Sequence, residues 1–488
     1  MEEVVPSPTT GKAQTIEPAG APPDEGTPFG LAAGEELGAR ARAGLALARV
    51  SSKIGVPPTL AFGFLGLLLF MIGDGVESGF ITPFIAGHGG GSKAMAAYLI
   101  TGYGVAVAVA SWLAGALSQV FGPKRIMWVG FVIWVVFDVL FLVAAMGHNF
   151  PLMVLGYGVR GFGYPLFAYG FLVWITAVTP KRRLGTAVGW FYFAFTGGFP
   201  TLGSLVASFT IPLFGQGDQD RGELGTLWLS IGILATGALL ALFGVRDSRG
   251  AERTAKPGEN PLRSLLASFT VAYHHPKVAI GVLVRMINTT PQYALLVLFP
   301  SVYTTLLGKG DSLVGSQKWL LLVAVIFGTN VGFNLVFGAL SDRIGWRPTI
   351  AWFGAVGSSA TFALFYFLTP VAGPDRFWLI LALGGAYGAT LGGFVPISAL
   401  VPQLAPENRG GAIAMLNLGA GASYFVGPGV VSLFLTLMGS GRFATTVTVL
   451  TLAGLYLIAA PLVFLLRTPD EVEAKAAALR EADGHDQN

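Results

Sequence analysis

Two carboxylates, Asp74 and Glu77, stand in the oily stretch LLLFMIGDGVESGFITPFI, residues 67–85. Placing one carboxylate at the middle of a bilayer costs roughly 2.5–3.5 kcal/mol, so two in one apolar run call for a function that compensates. In a low-dielectric cavity a carboxylate takes up a proton more readily than in water, and when ionised it accepts hydrogen bonds through both oxygens. Proton exchange and binding of a polar solute are therefore the chemistries on offer. The residues are three apart, which on a helix places them on one face with Phe70 and Ile81.

Further polar groups recur at helical spacing in other apolar runs. Arg160, Tyr164, Phe167, Phe171 and Trp174 form one mixed face, and Arg285, Asn288 and Gln292 form another. Asp138, midway along VIWVVFDVLFLV, has the depth to pair with Arg160 across a helical hairpin. A structural ion pair and a gating or proton-relay role are equally open for it. Asp74 or Glu77 could likewise do no more than neutralise Arg160 or Arg285. The run GHGGGSK, residues 87–93, has Ser and Lys in the wrong order for a phosphate loop, and no H-E-x-x-H, G-x-S-x-G or paired metal-ligand motif stands in a usable context. No enzyme, metal site or cofactor is expected.

The elements that must position these side chains follow from composition. With 53% hydrophobic and only 11% charged residues, and a mean hydropathy of +0.66, the chain reads as a polytopic membrane protein. Its 68 glycines suit helices that approach closely in lipid. The absence of cysteine excludes disulfides, thiolate metal sites and cysteine catalysis. Apolar runs long enough to cross the hydrocarbon number twelve, at about 60–87, 94–117, 126–146, 151–178, 185–214, 225–245, 276–307, 316–339, 348–369, 377–402, 410–437 and 442–466. An even count puts both termini on one side. Most of the 30 lysines and arginines, including Lys124, Arg125, Lys181, Arg182 and Arg183, fall in the tails and even-numbered loops. The positive-inside rule makes that side the cytoplasm. The net charge of +4 thus reflects orientation in a cytoplasmic membrane, not a nucleic-acid partner.

The fold class expected is an all-α membrane protein with two pseudo-symmetric six-helix bundles, at 57–246 and 276–467. A Pro-, Gly- and Ala-rich tail, 1–56, reads as disordered, with 34–53 either an amphipathic helix or a solvated tether. A charged linker, 247–275, joins the halves, and 468–488 forms a second tail. The halves repeat. GALSQVFGPKRIM (115–127) aligns without a gap on GALSDRIGWRPTI (338–350), and TPKRRLGTAV (179–188) aligns on APENRGGAIA (405–414) at nearly the same separation.

On these residues the chain, from about 57 to 467, resembles the major facilitator superfamily. Its loop signature G-x-L-x-D-R-x-G-R is matched by Gly338, Leu340, Asp342, Arg343, Gly345 and, one place late, Arg347. In the first half Gly115, Leu117 and Gly122 match, but Gln119 and Val120 replace the acidic and basic residues. The resemblance implies a conformational latch at Asp342, Arg343 and Arg347, and a central cavity lined by the first, fourth, seventh and tenth helices. The tenth then contributes Tyr387, Thr390 and Phe394. MIGDGVESGF and RGFGYPLFAYGFLVWI (160–175) are also similar to the polyol permeases, the ribitol and D-arabinitol proton symporters.

A polyol needs carboxylate acceptors, Arg, Asn and Gln donors, and flat aromatics for its C–H faces. The set Asp74, Glu77, Asp138, Arg160, Tyr164, Trp174, Arg285, Asn288, Gln292 and Tyr387 supplies each. The leading expectation is a monomeric proton symporter importing a small polyhydroxylated solute, with Glu77 as substrate contact and Asp74 as proton site. The alternative is a transporter of organic anions or amphiphilic compounds in which Arg160 and Arg285 clamp a carboxylate. A non-transporting receptor ranks last.

Overall fold

The computed structural model describes residues 58–89, 92–179, 184–245, 250, 252, 260–406 and 409–468; the two tails, most of the linker's first half and the basic loop at 181–183 lie outside them. Among the described residues the regular structure is entirely helical. Ten helices are long and apolar enough to cross a membrane, and an eleventh span is the pair Pro276–Leu298 and Pro300–Gly308, bent by 52°. Ala61–Gly75 and Ile81–His88 together make the first span, completing twelve.

The first span is not the single helix that its hydropathy predicts. It stops at Gly75, and a turn over residues 76–80 intervenes, in which Ser78 N–H donates to Gly75 O at 3.1 Å and Phe80 N–H to Glu77 O at 3.0 Å. Ile81 therefore belongs to a different helix from Asp74 and Phe70. The fourth, seventh and tenth spans are interrupted too: Phe150–Arg160 gives way to Gly163–Val178, Leu298 to Pro300, and Leu391 to a three-residue turn before Ile397. Glycine or proline stands at each interruption: Gly73 and Gly75, Gly161 and Gly163, Pro300, and Gly392, Gly393 and Pro396. Proline removes an amide donor and collides with the preceding turn, and glycine stabilises a helix poorly. Broken helices at membrane depth are tolerated where they line a cavity between protein elements.

Between the halves, the second span (Lys93–Phe121) packs on the eleventh (Arg409–Met438), and the eighth (Ser312–Ile344) packs on the fifth. A two-fold axis that carries each span onto the one six later exchanges these two interfaces, as a duplicated bundle requires. The repeated GALS motif reappears as backbone geometry. Gly122 and Gly345, at matching places in it, have φ 92° and 95°. Each donates its N–H to a serine carbonyl at 3.0 Å, Ser118 and Ser341 respectively, ending a long helix in the same cap.

The linker is more structured than its charge suggests. Pro261–His274 is a helix whose Asn260 side chain caps Arg263 N–H at 3.2 Å, and it packs on both the eleventh and second spans. Gly250 lies against the indole of Trp174, where a Cβ would meet Cζ2 at 2.2 Å.

Close approach is sharpest where the first span breaks. The fifth span widens into a π-helical turn over Gly197–Leu202, with Pro200 inside it. There a methyl at Gly75 would meet Phe199 O at 1.6 Å, and one at Gly203 would meet Gly75 C at 2.3 Å. Gly75→Ala should destabilise the bundle by roughly 1–3 kcal/mol or more. Gly87→Ala, with nothing within 4 Å of its added methyl, should leave the melting temperature in detergent unchanged. Thermal unfolding of the two variants beside the parent checks this.

Candidate functional site

The interruption of the first span turns two carboxylates toward one guanidinium. Arg160, last residue of its helix and 0% exposed, donates through Nη1 to Glu77 Oε2 at 2.7 Å and to Asp138 Oδ1 at 2.6 Å. Its Nη2 pairs closely with Glu77 Oε1 and stands 3.7 Å from Asp74 Oδ1. Asp74 Oδ1 also accepts from Trp134 Nε1 at 2.6 Å, and Glu77 Oε1 from the Tyr157 hydroxyl at 2.8 Å. The guanidinium carbon lies 4.7 Å from the ring centroids of both Trp134 and Tyr157, and 5.5 Å from that of Tyr103. Cation–π contact of this kind strengthens when desolvated.

Three carboxylates thus surround one fixed positive charge inside the protein. Asp74 and Asp138 are 0% and 1% exposed, and Asp74 Oδ2 and Asp138 Oδ2 have no hydrogen-bond partner among the described residues. Were all three acids ionised, two negative charges would be left over in a low-dielectric interior, which is costly. A proton on one aspartate halves that excess, and one on each removes it. Glu77, held bidentately by Arg160, is best placed to stay ionised.

Two adjoining cavities lie between the halves, each enclosing about 450 Å³ including solvent at the mouth. One is bordered by Glu77, Ser78, Tyr103 and Tyr157 from the first half, the other by Thr196, Gln292, Phe327 and Asn330. Both share Phe199, Tyr293, Leu296 and Tyr424, and the Tyr293 and Tyr424 rings stand 3.8 Å apart. The walls are therefore aromatic faces with amides, hydroxyls and one carboxylate set among them.

The other candidate residues divide. Gln292 borders a cavity, and its Nε2 donates to Asn288 O and Oδ1 at 2.9 and 3.2 Å. Arg285 is half-buried on the same helix. Among the described residues no carboxylate lies within 4.0 Å of it. Tyr164 is buried, its ring 5.9 Å from Tyr424 and 6.3 Å from Phe199. Of the ten candidates the two cavities are bordered by Glu77 and Gln292 alone, and two of the others have unrelated partners. Trp174 is wholly buried against Phe171 and Gly250. Tyr387 shares a 2.9 Å hydrogen bond with the Tyr456 hydroxyl and packs on Phe362. Helical spacing placed Trp174 on one face with Arg160, and the resemblance placed Tyr387 on a cavity-lining helix; the interruption after Arg160 divides it from Trp174 and shifts the register. In the candidate latch, Arg343 is exposed and Arg347 half-buried, while the Asp342 side chain lies outside the described residues.

Spacing could have found some residues that were passed over. Tyr157 is one helical turn from Arg160, and Trp134 one turn from Asp138. No local signal marks Tyr103, Phe199, Asn330 or Tyr424, which come from the second, fifth, eighth and eleventh spans. Glu223 escaped because it precedes the apolar run of its span; it is 4% exposed and accepts from Gln219 Nε2 at 2.6 Å. The same Gln219 Nε2 crosses between halves to Ser316 Oγ at 2.9 Å. Trp319 Nε1 likewise donates to Gly79 O at 2.6 Å, and Tyr98 meets Thr436 at 3.0 Å. These bonds draw the halves together at one end of the bundle.

A pair of six-helix bundles meeting over a polar cavity, with buried ionisable groups beside it, defines a membrane transporter and not an enzyme. The family model described as Major Facilitator Superfamily matches residues 63–370 and 281–484, and the chain belongs to that superfamily. It is 40% identical over 394 residues to an alpha-ketoglutarate permease of Bacillus subtilis (strain 168), covering 80% of this chain and 86% of that protein. It is 33% identical to a D-arabinitol transporter of Klebsiella pneumoniae, covering 89% and 97% respectively. Among solved structures it resembles a D-xylose-proton symporter, with TM-score 0.62 and 18% identity over 82% of this chain and 95% of that one.

The guanidinium holds the cluster together. Arg160→Met should destabilise the protein by about 3–5 kcal/mol, because it strands buried carboxylates. Adding Glu77→Gln and Asp138→Asn to that variant should recover most of the loss. Thermal unfolding in detergent reads both effects.

Proposed function

We propose that this protein imports a small polyhydroxylated solute by proton symport, alternating access between the two sides of the cytoplasmic membrane as a monomer with both termini in the cytoplasm. The observation that carries the reading is the buried cluster of three carboxylates and one arginine, of which only Glu77 reaches the cavity. Its charge excess is relieved by protons, so the cluster is a proton store coupled to the solute site through one side chain. Asp74, wholly buried and absent from the walls of both cavities, holds the transported proton. Glu77 accepts solute hydroxyls beside Tyr157, while Gln292 and Asn330 supply amides and Phe199, Tyr293 and Tyr424 face the C–H surfaces. A proton on Asp74 lowers the negative excess around Arg160 and Glu77, so that proton and solute are held together and leave together once the cavity opens to the cytoplasm. The name of the D-arabinitol relative supports this solute class, and the excess of lysine and arginine in the even-numbered loops supports the orientation.

An organic-anion transporter clamping a carboxylate between Arg160 and Arg285 is the second reading. Both terminal nitrogens of Arg160 are already engaged by carboxylates, which weighs against its half of the clamp but leaves Arg285 open.

Asp74→Asn mimics a permanently protonated acid. It should retain equilibrium exchange of solute in liposomes while losing accumulation driven by an imposed pH gradient. Glu77→Gln should weaken solute binding itself, by about 1.5–3 kcal/mol for a lost charge-assisted hydrogen bond. Undiminished gradient-driven accumulation by both variants would remove these carboxylates from the mechanism.

A further inference from the structure

A buried cluster that stores a proton can drive transport only if its hold on that proton differs between the two states of the alternating-access cycle, because a bound ligand shifts a conformational equilibrium only through differential affinity. Some contact must therefore tell the cluster whether the halves are closed at a given end. The turn over residues 76–80, which carries Glu77, is where the second half reaches it. Trp319 of the eighth span, 0% exposed, donates through Nε1 to Gly79 O at 2.6 Å, two residues from Glu77. The sequence leaves that carbonyl in need of a donor: a continuous helix would bond it to the amide four residues on, and Pro83 has none. Gly79 also lets the eighth span come close, since a Cβ there would stand 2.5 Å from Leu320 Cδ2. On its other side the indole stacks on Tyr303, with ring centroids 5.7 Å apart, and meets Phe299 edge-on at 6.4 Å. Both rings stand at the break of the seventh span. One indole thus joins the interruptions of the first and seventh spans, which the two-fold axis relates. Gln219 with Ser316 and Tyr98 with Thr436 also cross between the halves at this end, but neither bond involves an interruption.

We propose that Trp319 is a positioning residue for proton coupling: while the halves are closed at this end its N–H holds the 76–80 turn so that Glu77 stays on Arg160, and when they part the turn is released and that pair with it. This rests on the reading of the cluster as a proton store, and it names the contact through which the second half acts on that store. Within the turn, Phe80 N–H and Ile81 N–H both donate to Glu77 O, at 3.0 and 2.9 Å, so the backbone on either side of Gly79 moves with that of Glu77. Arg160 and Tyr157, which hold the Glu77 carboxylate, belong to the fourth span. A shift of the turn therefore changes their distance from it, and Asp74, Asp138 and Arg160 must share the charge anew. With both termini in the cytoplasm, as proposed, this end is the outer one, where the sixth and eighth spans begin.

The test reads two kinds of transport by the full chain in liposomes: accumulation of D-arabinitol driven by an imposed pH gradient, and its equilibrium exchange without one. Trp319→Phe keeps a ring against Tyr303 and Phe299 and removes the donor. It should lower accumulation by about fivefold or more, the range of coupling between linked sites, while exchange stays within about twofold of the parent. Gly79→Val reaches the same bond from the other side, because its Cβ stands 3.6 Å from Trp319 Nε1 before its methyls are added; it should show the same split. Ser316→Ala removes a cross-half bond one turn away on the eighth span without touching the 76–80 turn, and should keep the parent's ratio of accumulation to exchange. A residue that only packs would lower both in step. A proportional fall or an unchanged ratio in Trp319→Phe, or in Gly79→Val should the first fail to fold, thus overturns the proposal and leaves the symport reading standing. So does a loss in Ser316→Ala as large as that in Trp319→Phe, and so does failure of both turn variants to fold. A parent that does not accumulate D-arabinitol under the gradient removes the polyol symport reading, and the inference with it.

Discussion

Everything near the centre of this protein depends on how one guanidinium is neutralised. Arg160 ends a broken helix, and the acids that meet it come from two other spans, Asp74 and Glu77 from the first and Asp138 from the third. Taking such a charge from water costs several kcal/mol unless partners and hydrogen bonds satisfy it, so the three spans must keep their relative positions for any of them to be stable. Trp134 and Tyr157, each one turn from a member of the cluster, fix the orientation of the acids by donating to them. The cluster is at once the polar core of the first half and its only charged reach into the cavity, through Glu77.

That arrangement requires backbones to come closer than ordinary side chains permit. Gly75 ends the first helix against the carbonyl of Phe199, and Gly104 of the second span meets the backbone of Tyr424, where a Cβ would lie 2.3 Å from its carbonyl oxygen. In lipid, apolar side chains gain little by leaving their surroundings, so close packing of small residues does much of the holding. The same glycines loosen the helices they interrupt. Interruptions in the first, fourth, seventh and tenth spans put irregular backbone at membrane depth, which is tolerated where it lies within protein and not against lipid.

The two halves share a plan but not a charge distribution. The matching glycine caps at Gly122 and Gly345 show how faithfully the backbone repeats, and the exchange of the second-on-eleventh for the eighth-on-fifth interface shows it again. Chemistry diverges on that common frame. Acids gather around Arg160 in the first half. In the second, buried polar contacts are uncharged ones such as Tyr387 with Tyr456 and Thr289 with Ser423, at 2.9 and 2.6 Å. A symmetric scaffold thus carries an asymmetric interior.

The sequence by itself determined the number of spans, the duplication, the class of protein and the fact that Asp74, Glu77, Asp138 and Arg160 had to find partners. Hydropathy, repeat and the cost of buried charge are properties of a chain in lipid, legible before any folding is known. Only the tertiary structure decided which charge met which. Helical period says which residues share a face but not what that face meets, so Arg160 drew all three acids and Arg285 none among the described residues. It also decided that Trp174 and Tyr387 lie apart from the cavities: the break at Gly161 resets the face of the segment that carries Trp174, and Tyr387 is taken up by Tyr456 and Phe362 within its own half. And it brought in Phe199, Asn330 and Tyr424, whose place in the wall comes from close packing between spans far apart in the chain, a contact that no local pattern records.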